Sequence, residues 1–399
     1  MSLFIPADPA EVAAYVGEAA AARTPLSITG LSSKAALGRP VKAARRLDLS
    51  RLAGVTFYEP EELVFSALAG TPIEDIEALL AKNAQELPFE PMSFGALYGT
   101  GPGTLGGCLM TNLSGPRRIK AGAARDFVLG IKAVSGRGEA FKAGGRVVKN
   151  VTGYDLSRGL AGSFGTLAVA TEITLKVLPR AEISATLLLE SLDPARAVEA
   201  LCAAMGAPVD VSGAAHLPPH AAKTLGFATA ITALRIEGFA PSVAGRLDRL
   251  EAMVKPFAPT RRLDAPASQA LWRAIRDVTP LAVPPDKIIW KISVVPTAGP
   301  KLAAAIGNAY NSEVLFDWSG GLVWIALDPC ADAAAGLIRQ AIAQHGGGHA
   351  TLVRAPAEMR AELPVFEPQP PALAALSRRL KEAFDPYGIL EPCRMWAEF

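Results

Sequence analysis

Apolar positions recur at helical spacing over residues 9–22, directly after Asp8, and this predicts an Ala-rich helix with Asp8 as its cap. A short apolar run, Leu26–Thr29, then predicts a strand that ends in a turn of glycine and small hydroxyl residues. Val55–Tyr58 and Leu63–Ala69 predict two more strands. Thr71-Pro72 opens a helix through about Lys82, with Glu74, Asp75 and Glu77 in its first turns, where the helix dipole favours acids. Together these elements predict a first small α/β unit.

The pattern lapses between Pro91 and Pro116, an uncharged stretch with seven glycines and three prolines. It is long enough to cross a bilayer but has no apolar periodicity, so it predicts a loop region. Strands at Phe127–Val134, Glu139–Lys142 and Leu167–Val177, with a short helix near Tyr154–Leu160, predict a second α/β unit. Beyond Pro179, strands at Ala185–Glu190, Lys287–Val294 and Leu322–Ala326 alternate with helices at 193–204, 241–254 and 332–344. The expected organisation is an α+β protein: a domain over 1–180, an α+β cap domain over 181–365, and a segment over 366–399. In that last segment a helix at 372–383 is expected to carry Arg378, Arg379 and Lys381 on its polar side.

Length agrees with two domains, since 399 residues exceed the roughly 250–300 at which a single core stops growing. A net charge of +2, with 50% hydrophobic and 20% charged residues, argues against a disordered chain or a nucleic-acid binder relying on bulk charge. Charge is uneven, however: Arg117 to Lys149 carries nine basic residues against Asp126 and Glu139. That run suits either a solvated face of edge strands or a surface that attracts an acidic partner or an anionic ligand.

The four cysteines, Cys108, Cys202, Cys330 and Cys393, show no short spacing, which excludes a disulfide framework and an iron–sulfur or zinc site. No histidine precedes His216, and Gly346-Gly-Gly-His349 lacks a neighbouring carboxylate, so no metal is expected. Trp272, Trp290, Trp318 and Trp324 read as core or interface residues. The N-terminal segment has no basic flank before Asp8 and Glu11, which predicts a cytoplasmic chain.

Gly101-Pro-Gly103-Thr-Leu-Gly106 matches the dinucleotide fingerprint, with Asp126 about 20 residues on. Its context is wrong: no buried strand precedes it, and Gly115-Pro116 stops any helix within ten residues. What survives is a cluster of glycines whose amides can approach an anion closely, although a plain glycine-rich loop accounts for it equally. Pro25 to Lys34 offers a second such turn, for a pyrophosphate or simply for the surface. The third segment runs from Gly144-Gly-Arg-Val-Val-Lys-Asn-Val151 through Gly-Tyr-Asp155 to Gly-Ser-Phe-Gly-Thr-Leu-Ala-Val-Ala-Thr-Glu172.

Together these segments resemble the FAD-linked oxidases of the p-cresol methylhydroxylase/vanillyl-alcohol oxidase (PCMH/VAO) type, over residues 1–180 and the last helix and tail. Leu-Ser-Gly-Pro-Arg-Arg at 113–118, Gly-Ala-Ala-Arg-Asp-Phe-Val-Leu-Gly at 122–130 and the 144–151 segment are similar to the FAD-binding subunits of bacterial three-subunit glycolate oxidases. The sequence departs from the family pattern in three places. Leu31-Ser32-Ser33 replaces Gly-Gly-Thr, Ala168 replaces Gly, and Glu391-Pro-Cys393-Arg394 replaces Asn-Pro-Gly-Arg.

The resemblance implies an FAD domain of two α/β subdomains, a cap domain, and a C-terminal segment returning to the FAD domain. It assigns Thr29, Gly30, Leu31, Ser32, Ser33 and Lys34 to the FAD pyrophosphate, and Gly103, Thr104, Leu105, Gly106 and Gly107 to the phosphate and ribityl region. Gly165, Thr166, Leu167 and Val169 would flank the ribose and adenine, with Ser114 and Gly162 nearby and Arg394 close to the flavin. Covalent linkage in this family commonly uses a histidine of the FAD domain, and none is present, so noncovalent FAD is implied. The implied partners are a catalytic flavin subunit and an iron–sulfur subunit, through which the complex could lie at the inner membrane, with a 2-hydroxy acid such as glycolate or D-lactate as substrate.

The family's His-x-Gly-Asp-Gly-Asn-x-His segment is missing, and no catalytic residue is assigned. A self-sufficient hydroxy-acid or alditol oxidoreductase with His345 or His349 as base, and a scaffold that has lost its flavin, remain as alternatives.

Overall fold

The computed structural model describes residues 2–148 and 153–398, so Lys149, Asn150 and Val151 of the third motif lie outside the described residues. Asp8 accepts the amides of Ala10 and Glu11 at 2.8 and 2.9 Å and starts the helix Pro9–Ala21. This helix buries Val12, Val16, Ala19 and Ala20 with Leu26 and Leu47 of a parallel sheet. Its strands are β1 (Ser2–Phe4), β2 (Leu26–Thr29) and β3 (Arg45–Asp48), in the order β1-β3-β2.

The next strands, β4 (Val55–Glu59) and β5 (Val64–Leu68), do not complete this first unit as the local pattern predicts. Together with β7 (Val128–Ser135), β8 (Ala140–Gly144) and β9 (Ala168–Lys176) they form an antiparallel sheet in the order β4-β5-β9-β7-β8. Val64, Phe65, Ser66 and Ala67 are all buried, so β5 is an interior strand and needs the long β9 beside it. A short pair, β6 (Gln85–Glu86) with β10 (Leu178–Pro179), closes the domain.

The glycine-rich stretch is not all loop. It contains the helices Gly95–Tyr98 and Leu105–Thr111. The Thr104 hydroxyl accepts the Gly107 amide at 3.2 Å and caps the second helix, which buries Leu105, Cys108 and Leu109 before Asn112 ends it in a left-handed conformation. One buried face repeated over two turns is too short to register as periodicity.

Beyond Pro179 lie β11 (Ile183–Glu190), β12 (Val211–Leu217), β13 (Ile231–Gly238), β14 (Thr260–Leu263), β15 (Ile288–Val294), β16 (Ser312–Asp317), β17 (Leu322–Leu327) and β18 (Gly348–Arg354). Among the described residues they form one sheet, ordered β14-β11-β13-β12-β16-β17-β15-β18. Strand alternation gives the sheet two faces. Trp290, Ile292 and Ile325 pack beneath helices, whereas Ile289, Trp324, Ala326 and Val353 pack with Met92, Phe94, Leu97 and Leu113 of the first domain.

Part of the basic run is drawn into this domain junction. Arg117 pairs with Glu86 and Glu237, both at 2.9 Å, and Arg235 pairs with Glu90 at 2.8 Å. Burial alone would raise the Glu237 carboxyl, but Arg235 and Arg117 hold it down at about 2. Other members scatter: Lys132 pairs with Glu172 on the five-stranded sheet, and Lys120 pairs with Asp210. The run is therefore not one continuous face.

The helix Pro371–Phe384 also differs from expectation, since Lys381 is buried while Leu373, Leu376 and Leu380 are exposed. Lys381 turns inward because its ammonium finds acceptors there. The chain then returns to the first sheet: the Leu26 amide donates to the Ile389 carbonyl at 2.7 Å, and the Glu391 amide donates to the Leu26 carbonyl at 3.0 Å. The tail thus extends the β2 edge, as the family resemblance implies. Among the described residues, no helix is long and apolar enough to cross a membrane.

Candidate functional site

A cleft of about 310 Å³ opens where the turn after β2, the helix Leu105–Thr111, the start of β9 and the C-terminal tail meet. The turn is shaped from below by Arg46, whose guanidinium donates to the hydroxyls of Thr29 at 3.0 Å and Ser32 at 2.6 Å. Ser32 sits at φ 57°, in the left-handed region, which turns the chain sharply here. Among the described residues, no backbone acceptor meets the amides of Leu31, Ser32, Ser33 or Lys34.

Gly30 sets the floor, and Gly103 backs Lys34. A Cβ at Gly30 would lie 2.8 Å from both branches of Thr104, and one at Gly103 would lie 2.7 Å from Lys34 Nζ. Gly106 has a different duty. Its amide already donates to the Ala69 carbonyl at 2.8 Å, and a Cβ there would meet that same carbonyl at 2.9 Å. It allows helix and strand to approach closely rather than offering its amide to a ligand.

Lys34 is half-buried, and desolvation lowers its pKa from the ordinary value. No carboxylate lies within ion-pair distance of it among the described residues; its ammonium is 3.5 Å from the Ser33 hydroxyl. Beside it, burial pushes the Cys108 thiol up to about 11, so this sulfur is a packed thiol and not a nucleophile.

Two arginines reach the cleft from elsewhere in the chain. Arg394 donates to the Lys34 carbonyl at 3.2 Å, and Arg360 of the cap domain donates to the Gly38 carbonyl at 2.6 Å. Glu391 is the one carboxylate on the cleft wall among the described residues. It accepts the Ile28 amide and, at 3.4 Å, the Ser27 hydroxyl, and burial raises its pKa.

An unneutralised lysine, turn amides without partners and floor positions where a Cβ would collide fit the pyrophosphate of a dinucleotide. Of the positions assigned from the sequence, Thr29, Gly30, Leu31, Ser32, Ser33, Lys34, Thr104, Gly106, Gly107, Gly165, Val169 and Arg394 line this cleft. Gly103 stands behind Lys34. Leu105 and Leu167 lie in the sheet core, and the Ser114 hydroxyl receives the Ala124 amide at 3.1 Å. Gly162 donates to the Leu109 carbonyl, and the Thr166 hydroxyl bonds to the Ser163 carbonyl at 2.7 Å; neither lines the cleft. Sequence reasoning missed Met110, Phe164 and Arg360, which no motif marks. It also passed over Glu391, whose only signal was its place in the tail motif.

A family model described as FAD binding domain matches residues 2–144. Across 385 residues the chain is 35% identical to the glycolate oxidase subunit GlcE of Escherichia coli, covering 96% of each chain. It is 42% identical to the glycolate oxidase subunit GlcD of Bacillus subtilis, but over only 94 residues, 23% of this chain and 20% of that one. In structure it is similar to p-cresol methylhydroxylase, with a TM-score of 0.73 and 12% identity, covering 98% of this chain and 88% of that one.

Proposed function

This chain belongs to the FAD-linked oxidoreductase family of the glycolate oxidase subunit GlcE, and on that premise we propose that it is the subunit of a glycolate-oxidising complex that holds a noncovalent FAD and relays electrons. It is an FAD-dependent oxidoreductase subunit with FAD as its cofactor. When bound, FAD would take electrons from a reduced donor, which is oxidised in the step, and pass them on.

The chain's own residues supply the holding. Lys34 and the amides of residues 31–34 would take the pyrophosphate charge, Gly30 would leave room for it, Gly103 would leave room for the Lys34 ammonium, and Arg394 would fix the turn from above. The observation that carries this reading is Lys34: a half-buried ammonium that lines the cleft, with no carboxylate within ion-pair distance among the described residues. Noncovalent attachment is supported by the cleft lining, which contains no histidine among the described residues.

The proposed partners are a catalytic flavin subunit resembling GlcD and an iron–sulfur subunit. The substrate of the complex is a small 2-hydroxy acid such as glycolate or D-lactate. Oxidation of such an acid needs a group that takes the hydroxyl proton, and the family resemblance assigns no residue of this chain to that role.

Anaerobic addition of glycolate to the purified chain, alone and then with its partner subunits, tests the assignment. Flavin reduction only in the assembled complex is expected. Rapid bleaching of the isolated chain would make it a self-sufficient enzyme, and a flavin-free chain that still supports the complex would make it a scaffold.

A further inference from the structure

Along β15, the inner face of the eight-stranded sheet, which packs on the FAD domain, carries one charged side chain. Ile289 is buried there, and two residues on, Lys291 takes the same face beside Trp324 of β17. Its ammonium lies 5.5 Å from the Trp318 ring centre and 6.0 Å from that of Trp324. Arg118 of the FAD domain covers Trp318 as well, at 4.6 Å. The indole nitrogen of Trp318 is tied to the Gly115 carbonyl at 3.2 Å, so the ring is held between the two domains.

Neither cation has a counter-ion. Among the described residues, no carboxylate lies within ion-pair distance of Lys291 or Arg118, although Arg117, next in sequence, meets three glutamates. The nearby acids are engaged by backbone amides. Asp126 accepts the Ala123 amide at 2.8 Å and faces Arg125, while Asp317 accepts the Trp318 amide at 2.7 Å. Burial, chiefly, pushes the Asp317 carboxyl up to about 7, and desolvation with the charge of Arg118 lowers Lys291 to about 8. Two half-buried cations that repel one another across a domain junction are costly unless an anion joins them.

We propose that Arg118 and Lys291 form a binding site for a small carboxylate, seated on Trp318 between the FAD domain and the inner face of the cap sheet. The guanidinium and the ammonium would each take a carboxylate oxygen, and the indoles would form an apolar wall for the carbon skeleton. The site is distinct from the cofactor cleft, which Arg118 and Lys291 do not line. It deepens the reading of the chain as a subunit of a 2-hydroxy-acid oxidase and rests on that reading for the choice of ligand. It gives this subunit a carboxylate site of its own.

Isothermal titration of the flavin-containing chain with glycolate and with oxalate tests it, alongside Arg118→Met, Lys291→Met and the charge-keeping Lys291→Arg. Saturable binding of one carboxylate per chain is expected, weakened at least about tenfold by either methionine variant and largely kept by Lys291→Arg. Flavin content and melting temperature of each variant separate loss of the site from loss of the fold. Should Lys291→Met fail to fold, Arg118→Met, on a half-buried side chain, carries the test alone. Absence of binding to the well-folded chain, or binding that neither substitution weakens, overturns the proposal. Carboxylate binding in a chain that holds no flavin would keep this site and instead count against the flavin reading.

Discussion

The Lys381 ammonium lies 2.7 Å from the Asp385 carboxylate, one turn along the last helix, and this buried pair joins that helix and the tail after it to a distant turn before β9. Lys381 also donates to the carbonyls of Thr166 at 2.7 Å and Leu390 at 2.9 Å. Asp385 accepts the amides of Ile389 at 3.1 Å and Leu390 at 2.8 Å. The turn before β9, which carries Gly165 to the cleft, is thus fixed to the tail that carries Glu391 and Arg394.

Removing one partner leaves the other charge buried and alone. Asp385→Ala should therefore destabilise the chain by about 3–5 kcal/mol, at the upper end for a single substitution. Thermal unfolding would show it, together with a lower flavin content at fixed FAD. A melting temperature within a degree or so of the parent would mean that the pair is not holding the tail.

Lys34→Met should weaken FAD retention by roughly ten- to a hundredfold, the scale of one charge-assisted hydrogen bond of about 1.5–3 kcal/mol. The melting temperature of the flavin-free chain should hardly change or should rise, because a half-buried unpaired charge is removed. Dialysis against FAD at graded concentrations measures it; unchanged affinity would move the pyrophosphate elsewhere.

Gly30→Ala should act through Thr104. The new methyl meets both branches of that side chain at 2.8 Å, so Thr104 must turn and surrender its cap on the Gly107 amide. Loss of such a cap costs about 1 kcal/mol, and the cleft floor narrows as well. The expected result is a chain with an intact cap domain by limited proteolysis and little bound FAD. Full flavin occupancy would contradict the cradle.

Glu391 gives a pH dependence whose sign follows from its raised pKa. Burial lifts it above the ordinary 4.5, so the folded chain holds this proton more tightly than the unfolded one. The resulting stability is complete below 4.5 and is lost as pH rises through the folded value. A bound FAD, being anionic, should strengthen the same trend. Glu391→Gln should flatten this part of the stability profile while keeping the acceptor for Ile28, and parallel pH titrations of melting temperature would test it. Identical slopes in the two proteins would count against the assignment.

Much of this was legible along the chain, and the residues show where legibility ends. Asp8 announced the first helix, and the turn from Thr29 to Lys34 announced the cleft, because capping and small-residue turns are local chemistry. The placement of β5 was not local: Phe65 and Ala67 are buried against β9, about a hundred residues away, and nothing in their immediate sequence says so. Lys381 looked like a solvent-facing cation and is buried, since its acceptors come from Thr166 and Leu390. Gly106 was assigned to the phosphate region for its amide, whereas that amide is taken by Ala69 and the missing side chain serves close helix–strand approach.

The visible absorption spectrum of the purified chain, followed by acid precipitation and a flavin assay of the supernatant, tests the central claim most directly. The structure predicts a flavin band corresponding to about one FAD per chain, recovered in the supernatant as free FAD. A colourless protein that takes up no added FAD would contradict the cofactor cleft, and flavin that stays with the precipitated polypeptide would contradict noncovalent binding.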